Sequence, residues 1–197
     1  MKTPVAVSSV RNITVSGRIG SGATTLAESI AQALGWQMLN GGGLFRKLSE
    51  EMGLDINNSN SRPDHFDLAY EERIKKMLRE EKNHVIQSHL AGYDAQGIPG
   101  VYKILVVCED TDGTDKMDIR IDRLVNRDHK IVEEAKEEVI RREAEHTEKF
   151  RRLYASGDPN WVYWNKTYYD LVVNTYSHNQ EESLQVVLEA LKKPADA

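Results

Sequence analysis

Residues 12–25 read Asn-Ile-Thr-Val-Ser-Gly-Arg-Ile-Gly-Ser-Gly-Ala-Thr-Thr. Glycines at 17, 20 and 22 let a tight turn aim successive backbone N–H groups at one point, and the ligand such a turn suits is an anion. From Gly17 through Gly22 to Thr24 the spacing is that of Gly-x-x-x-x-Gly-Lys-Ser/Thr, whose backbone cradles a polyphosphate, but Ala23 stands where that pattern has lysine. The stretch thus nominates Gly17, Arg18, Ile19, Gly20, Ser21, Gly22, Ala23, Thr24 and Thr25 as phosphate-binding residues. An ordinary strand-to-helix turn is the competing reading.

Cations that could grip phosphate through a two-pronged guanidinium fork come in three groups. Arg46 follows the second expected strand, Arg120, Arg123 and Arg127 recur at helical spacing, and Arg141, Arg142, Lys149, Arg151 and Arg152 crowd a later helix. Phosphoryl transfer is catalysed largely by neutralising and aligning the moving group, a task for such side chains. Against that stand Glu137–Arg141, Glu138–Arg142, Glu145–Lys149 and Glu148–Arg152, all spaced as pairs on an exposed helix face. Asn40-Gly41-Gly42-Gly43 either admits a substrate close to the backbone or is a flexible turn, and His89 is either a ligand contact or a solvated turn residue. Trp161, Tyr163, Trp164, Tyr168 and Tyr169 could stack on a base, although burial is the commoner use of such a cluster.

These residues need a frame. Ile13 and Val15 alternate as in a strand, and Leu26, Ile30, Ala33 and Leu34 stripe a helix that stops at Gly35. Further strands are expected at 36–39, 84–87, 102–108 and 169–175. Helices are expected over 44–52, from Asp64 to Glu81, from Asp115, over Ile131–Tyr154, and through Leu184, Val187, Leu188 and Leu191. Within the Asp64 helix, Phe66, Tyr70, Ile74, Met77 and Leu78 form the apolar stripe, while Glu71–Lys75 and Glu72–Lys76 are expected on the wet face. Residues 55–63 read as a mobile polar connection. Five strands alternating with helices predict an α/β fold, a parallel sheet covered on both faces with ligands at the strands' carboxyl ends.

With 197 residues and a net charge of −5, the chain fits one domain that is no nucleic-acid scaffold. A single cysteine, Cys108, excludes an internal disulfide and zinc spacing, and no long apolar run marks a signal or a membrane span. A cytoplasmic monomer, free of membrane and nucleic acid, is expected.

The ordered segments resemble the short, archaeal-type cytidylate kinases, which are P-loop nucleoside monophosphate kinases. Residues 13–25 resemble that family's opening, and Asn40-Gly-Gly-Gly-Leu-Phe-Arg46-Lys-Leu is similar to its Ser-Ala-Gly-Glu-x-Phe-Arg segment. Ser88-His-Leu-Ala-Gly92 is similar to Gly/Ser-Arg-Leu-Ala-Gly, and Arg142-Glu143 through Phe150 and Tyr154 to Arg-Glu-x-x-Glu-x-x-Arg-Tyr. Tyr169-Asp-Leu-Val-Val-Asn-Thr175 resembles Tyr-Asp-Leu-Val-Ile-Asn-Thr. The resemblance implies a three-layer P-loop fold with a five-stranded parallel core, and transfer of the ATP γ-phosphoryl group to CMP or dCMP with Mg²⁺. It implies an acceptor-binding region at about 40–90 that includes Asn40, Gly42, Arg46, His89 and Gly92, and a lid at about 120–155. Gly17 to Thr25 would hold ATP, with Thr24 meeting the metal, and Arg123, Arg127 and Arg142 would be the catalytic lid cations.

Three positions depart from the pattern. Ala23 replaces the loop lysine, Gln87 stands where an acidic residue is favoured, and His89 where an arginine is. Arg18 is the candidate to supply the lost charge. These departures leave two alternatives beside the kinase reading. One is a catalytically impaired nucleotide-binding protein with a regulatory or interaction role; the other is a kinase for a different small acceptor.

Overall fold

The computed structural model describes residues 10–51, 53, 63–129 and 131–192. The expected mobile connection at 55–63 therefore lies outside the described residues, Pro63 apart. Five parallel strands make the sheet: β1 (Asn12–Gly17), β2 (Gln37–Asn40), β3 (His84–Gln87), β4 (Val101–Val107) and β5 (Leu171–Asn174). Their order is β2-β3-β1-β4-β5. Among the described residues, seven α-helices connect or follow them: α1 (Ala23–Leu34), α2 (Gly41–Glu51), α3 (Asp64–Glu80), α4 (Ala91–Asp94), α5 (Met117–Asp128), α6 (Val132–Tyr154) and α7 (Gln180–Lys192).

Alternation along the strands feeds two cores. Ile13, Val15, Val85, Ile104 and Val106 pack with Leu26, Ile30 and Leu34 of α1 and with Val187 and Leu191 of α7. Ile86 and Val101 point the other way, onto Tyr70, Ile74 and Leu78 of α3 and Ala91 and Ala95 at α4. One-residue alternation between Val85 and Ile86 is the pleat of a strand covered on both faces. The second face of β1 is polar yet fully buried at Asn12, Thr14 and Ser16. Asn12 repairs this locally: its amide donates to the carbonyls of Leu78 and Glu81, and its Oδ1 accepts from His84 N–H at 3.1 Å.

Register brings Asn40 beside Gln87, Val15 beside Gln87, Gly17 beside Val106, and Val107 beside Asn174. The candidate residues at strand ends therefore share one edge of the sheet. Several boundaries differ from expectation. The three glycines after Asn40 are the first turn of α2 rather than a loose turn, because Asn40 Oδ1 accepts from Gly43 N–H at 2.9 Å and caps that helix. Asp115 does not open α5; it bridges to Glu109, and the helix begins at Met117. Glu71 is not on a wet face: it is 7% exposed, turned against α4. Lys75 correspondingly leaves it and pairs with Asp94 of α4 at 3.2 Å.

The arginine-rich helices also differ from an exposed charged rod. Lys149 of α6 forms a buried ion pair with Asp67 of α3 at 2.5 Å, and Arg152 pairs with Asp64. Arg142 does keep its expected partner Glu138, at 2.9 Å. Tyr163 and Trp161 are buried with Leu90 and Phe150, so the aromatic cluster packs the segment after α6 onto the body.

Candidate active site

β1 ends at Gly17 and the chain turns through Arg18–Gly22 into α1. Gly20 has φ +76°, and a Cβ there would lie 2.4 Å from the carbonyl oxygen of Arg120. Gly22 has φ +93° and occupies the N-cap of α1 with no side chain to bond the first free N–H groups. No acidic residue stands in the first helical turn. The helix thus offers an uncapped set of N–H donors and the positive end of its dipole, the preconditions for an anion.

A cavity of about 980 Å³ opens over that loop, at the top of the usual range for small-molecule sites. Gly17 through Thr25 line it, as do Asn40, Gly42, Arg46 and His89 from the ends of β2 and β3 and the start of α2, and Arg123, Arg127 and Arg142 from α5 and α6. The ATP, acceptor and lid residues that the resemblance implies all line this cavity except Gly92, whereas Arg120, Arg141, Lys149, Arg151, Arg152 and the aromatic cluster at residues 161–169 do not. That glycine is buried: its N–H donates to Ser16 Oγ at 3.0 Å, and a Cβ would meet the Tyr169 ring at 2.2 Å. Close packing accounts for it.

Charge is distributed unlike the expectation. Arg18 does not replace the missing lysine, because its guanidinium is held by Glu143 Oε2 at 2.6 Å and Asp115 at 3.1 Å, and lies over the Trp164 ring at 4.7 Å. Arg123 reaches the cavity wall, but its donors are taken by backbone carbonyls and by the Thr175 hydroxyl. Nη1 bonds Ser21 O at 3.2 Å and Thr175 Oγ1 at 2.9 Å, while Nη2 bonds Thr175 O at 2.9 Å. It braces the loop to the end of β5. Arg127 and Arg142 are paired with Asp128 and Glu138, and both side chains remain partly exposed on the cavity side. These two pairs are surface-type contacts that a phosphate could replace.

His89 Nδ1 lies 2.9 Å from Gly17 O and 3.3 Å from the Tyr163 hydroxyl. A carbonyl only accepts, so Nδ1 carries the proton and Nε2 is left as an acceptor. Burial pushes the imidazole pKa down, and the Gly17 carbonyl opposes that only in part. His89 is therefore neutral near pH 7 and is no phosphate clamp. Thr24 Oγ1 donates to Gln87 Oε1 at 3.2 Å, pairing a helix-start hydroxyl with a neutral oxygen at the end of β3.

A buried network behind the loop was not singled out from the sequence. Arg120, fully buried, donates to Ile19 O at 2.5 Å, to Glu143 at 2.6 Å and to Asp115 at 2.9 Å. Glu143 thereby joins α6 to α5 and, through Arg18 and Ile19, to the phosphate loop. Burial pushes its pKa up, but the two guanidiniums outweigh burial and leave it lowered. Its signal was present in spacing: Ala135, Val139, Glu143 and Thr147 form one buried stripe at intervals of four.

Among the described residues, no group of three or more His, Cys, Asp or Glu side chains could hold a metal, and no helix is long and apolar enough to cross a membrane. A magnesium ion that travels with a nucleotide needs no protein cage, since phosphates and water fill most of its sphere. The hydroxyl of Thr24 and the amide oxygen of Gln87 are hard oxygen donors at the phosphate end of the cavity, and they fit that requirement.

The model of the cytidylate kinase-like family matches residues 12–177. A cytidylate kinase of Haloarcula marismortui is 32% identical over 183 residues, covering 91% of this chain and 88% of that one. One from Archaeoglobus fulgidus is 26% identical over 184 residues, covering 91% and 94%. The fold itself is that of the P-loop kinases: a shikimate kinase from Bacteroides thetaiotaomicron superposes with a TM-score of 0.57 at 15% identity, over 94% of this chain and 100% of that one. Strand order, phosphate loop and sequence thus converge: the chain belongs to the cytidylate kinase-like family, and with it to the phosphotransferases.

Proposed function

We propose that this protein transfers the γ-phosphoryl group of ATP to a nucleoside monophosphate, with CMP or dCMP as the acceptor. The observation that carries the reading is that one cavity is lined both by the uncapped N-terminus of α1 and by Asn40, Gly42, Arg46 and His89. In this reading the N–H groups of residues 20–24 bind the ATP phosphates, and Arg46 binds the acceptor phosphate. An oxygen of that phosphate attacks the γ-phosphorus, the bond to the β-phosphate oxygen breaks, and ADP and a nucleoside diphosphate leave. Arg127 and Arg142 exchange Asp128 and Glu138 for the moving phosphoryl oxygens and spread its charge. Arg123 keeps the loop in place from behind. Mg²⁺, carried with ATP and met by Thr24 and Gln87, supplies neutralisation of phosphate charge. Residues 40–90 then form the acceptor region and 120–155 the lid of one kinase domain. We take the protein to work as a monomer in the cytoplasm, without nucleic acid, in line with its net charge of −5.

A second reading, nucleotide binding without transfer, draws on Ala23, on the neutral His89 and on the commitment of Arg18 to Glu143 and Asp115. A coupled ADP-release assay over all nucleoside monophosphates separates the two. Turnover with CMP or dCMP supports transfer; ATP binding with no turnover on any acceptor supports the second reading.

A further inference from the structure

Arg46 enters the cavity on α2, so its aim is the aim of that helix. Arg123, Arg127 and Arg142 are each held by a partner, whereas Arg46 is exposed and, among the described residues, forms no ion pair. Of the 11 residues of α2 only Gly41 and Ser49 are buried. The helix starts directly after β2 on Gly41, Gly42 and Gly43, and glycine has the softest backbone of any residue. Asn40 Oδ1 caps them through the Gly43 N–H at 2.9 Å, but that bond lies within the segment and does not fix where the helix points.

A side chain of α3 does. Tyr70 is 5% exposed, and its hydroxyl donates to the Gly41 carbonyl at 2.8 Å. A Cβ on Gly41 would lie 2.7 Å from the Gln87 carbonyl oxygen, 2.7 Å from Ser88 Cβ and 2.8 Å from Tyr70 Oη. The first residue of α2 is thus pressed between the end of β3 and the phenol. One turn on, the Phe45 ring meets the Tyr70 ring edge to face, with centroids 5.0 Å apart. Burial, with the carboxyl groups of Glu71 and Asp94 nearby, pushes the phenol pKa up, so Tyr70 keeps its proton and stays a donor.

These contacts have leverage. Gly42 and Arg46 are four residues apart on one face of α2, and both line the cavity. Arg46 stands about 7 Å along the axis from Gly41, so a swing of about 10° at the glycines displaces its Cα by about 1 Å. A displacement on that scale takes an N–H···O contact out of hydrogen-bonding range. We infer that Tyr70 is a positioning residue for the acceptor phosphate: its hydroxyl, bonded to the Gly41 carbonyl, sets the direction in which α2 leaves the sheet and so aims the Arg46 guanidinium. It acts through Arg46 rather than on the phosphate itself. The inference rests on the phosphoryl-transfer reading for the ligand of Arg46 being a phosphate, but its test needs no turnover.

The test is a double-mutant cycle of Tyr70→Phe and Arg46→Ala, read by calorimetric titration of CMP into the full chain, with ATP affinity and thermal melting measured on every variant. Phenylalanine keeps the ring against Phe45 and removes only the hydroxyl. Tyr70→Phe alone is expected to weaken CMP binding about three- to tenfold, the scale of one hydrogen bond, and to leave ATP affinity within about twofold. In the Arg46→Ala background the same change is expected to alter CMP affinity by less than about twofold, because the side chain that it aims is gone. A merely structural tyrosine would weaken CMP equally in both backgrounds, or would weaken CMP and ATP together with a lowered melting temperature; either result overturns the inference. So does a Tyr70→Phe protein that binds CMP as tightly as the wild type. Absence of turnover in a wild type that shows the expected cycle would remove the kinase reading and leave this inference standing, whereas a wild type that binds no CMP overturns both.

Discussion

Glu143→Gln is expected to loosen the phosphate loop although Glu143 is not part of the cavity wall. Its carboxylate accepts from Arg120 Nη1 at 2.6 Å, Arg120 Nη2 at 3.3 Å and Arg18 Nη2 at 2.6 Å. Removing one member of a buried ion pair costs about 3–5 kcal/mol when the other charge is stranded. Arg120 would still have Asp115 and the Ile19 carbonyl, and glutamine retains one acceptor, so the loss falls to about 2–3 kcal/mol. Urea denaturation followed by circular dichroism reads this as a lower midpoint at unchanged slope. Because Arg120 also holds Ile19 O, ATP affinity should fall as well, by up to about tenfold, or 1.4 kcal/mol. The pH dependence follows from the sign of the shift. The folded pKa of Glu143 lies below its ordinary value of 4.5, so its stabilisation is present above that value and lost as pH falls through the lowered one. The variant should flatten that acid limb. A stability within about 0.5 kcal/mol of the wild type, together with unchanged ATP affinity, would refute the account of this network as the loop's support.

Other perturbations probe other links. Gly20→Ala should abolish tight ATP binding, since φ +76° and the Arg120 carbonyl 2.4 Å away leave no room for a methyl; equilibrium titration with a fluorescent ATP analogue checks it. Arg142→Ala should lower kcat by about 10²–10³ while the ATP dissociation constant moves little, in steady-state kinetics beside direct binding. Arg18→Gln should lower the melting temperature more than it weakens ATP binding, because its guanidinium serves Glu143 and Asp115. His89 is a base whose folded pKa is lowered, so it contributes stability above about pH 6.5 that is lost as pH falls. His89→Gln should reduce the slope of stability against pH just below that point.

The phosphate loop was legible because glycine spacing and a flanking strand and helix are local signals. The α/β class followed from the same alternation. Strand order was not, since β3 inserts between β2 and β1 through contacts distant in sequence. Among the arginines, sequence separated poorly what burial separates sharply. Arg120, Arg123 and Arg127 recur alike on α5, yet Arg120 is fully buried, Arg123 grips carbonyls, and Arg127 reaches the cavity. Leu124, four residues after Arg120 and so on the same helix face, was a readable sign that this face points inward. The buried pair Asp67–Lys149 was harder to foresee. Lys149 has Glu145 one turn away on its own helix, Asp67 has no cation one turn away on α3, and only the packing of α6 against α3 brings the two together. Gly92 was assigned to the acceptor from its motif, and nothing local announces the Tyr169 ring that packs on it.

Transfer itself is the central claim, and product identity tests it most directly. ATP labelled in its γ-phosphoryl group is incubated with CMP, magnesium and the protein, and the nucleotides are resolved by anion-exchange chromatography. The account predicts label in the terminal phosphate of CDP, with ADP formed in equal amount. Label confined to ATP and inorganic phosphate, under conditions where ATP and CMP are both shown to bind, would contradict it.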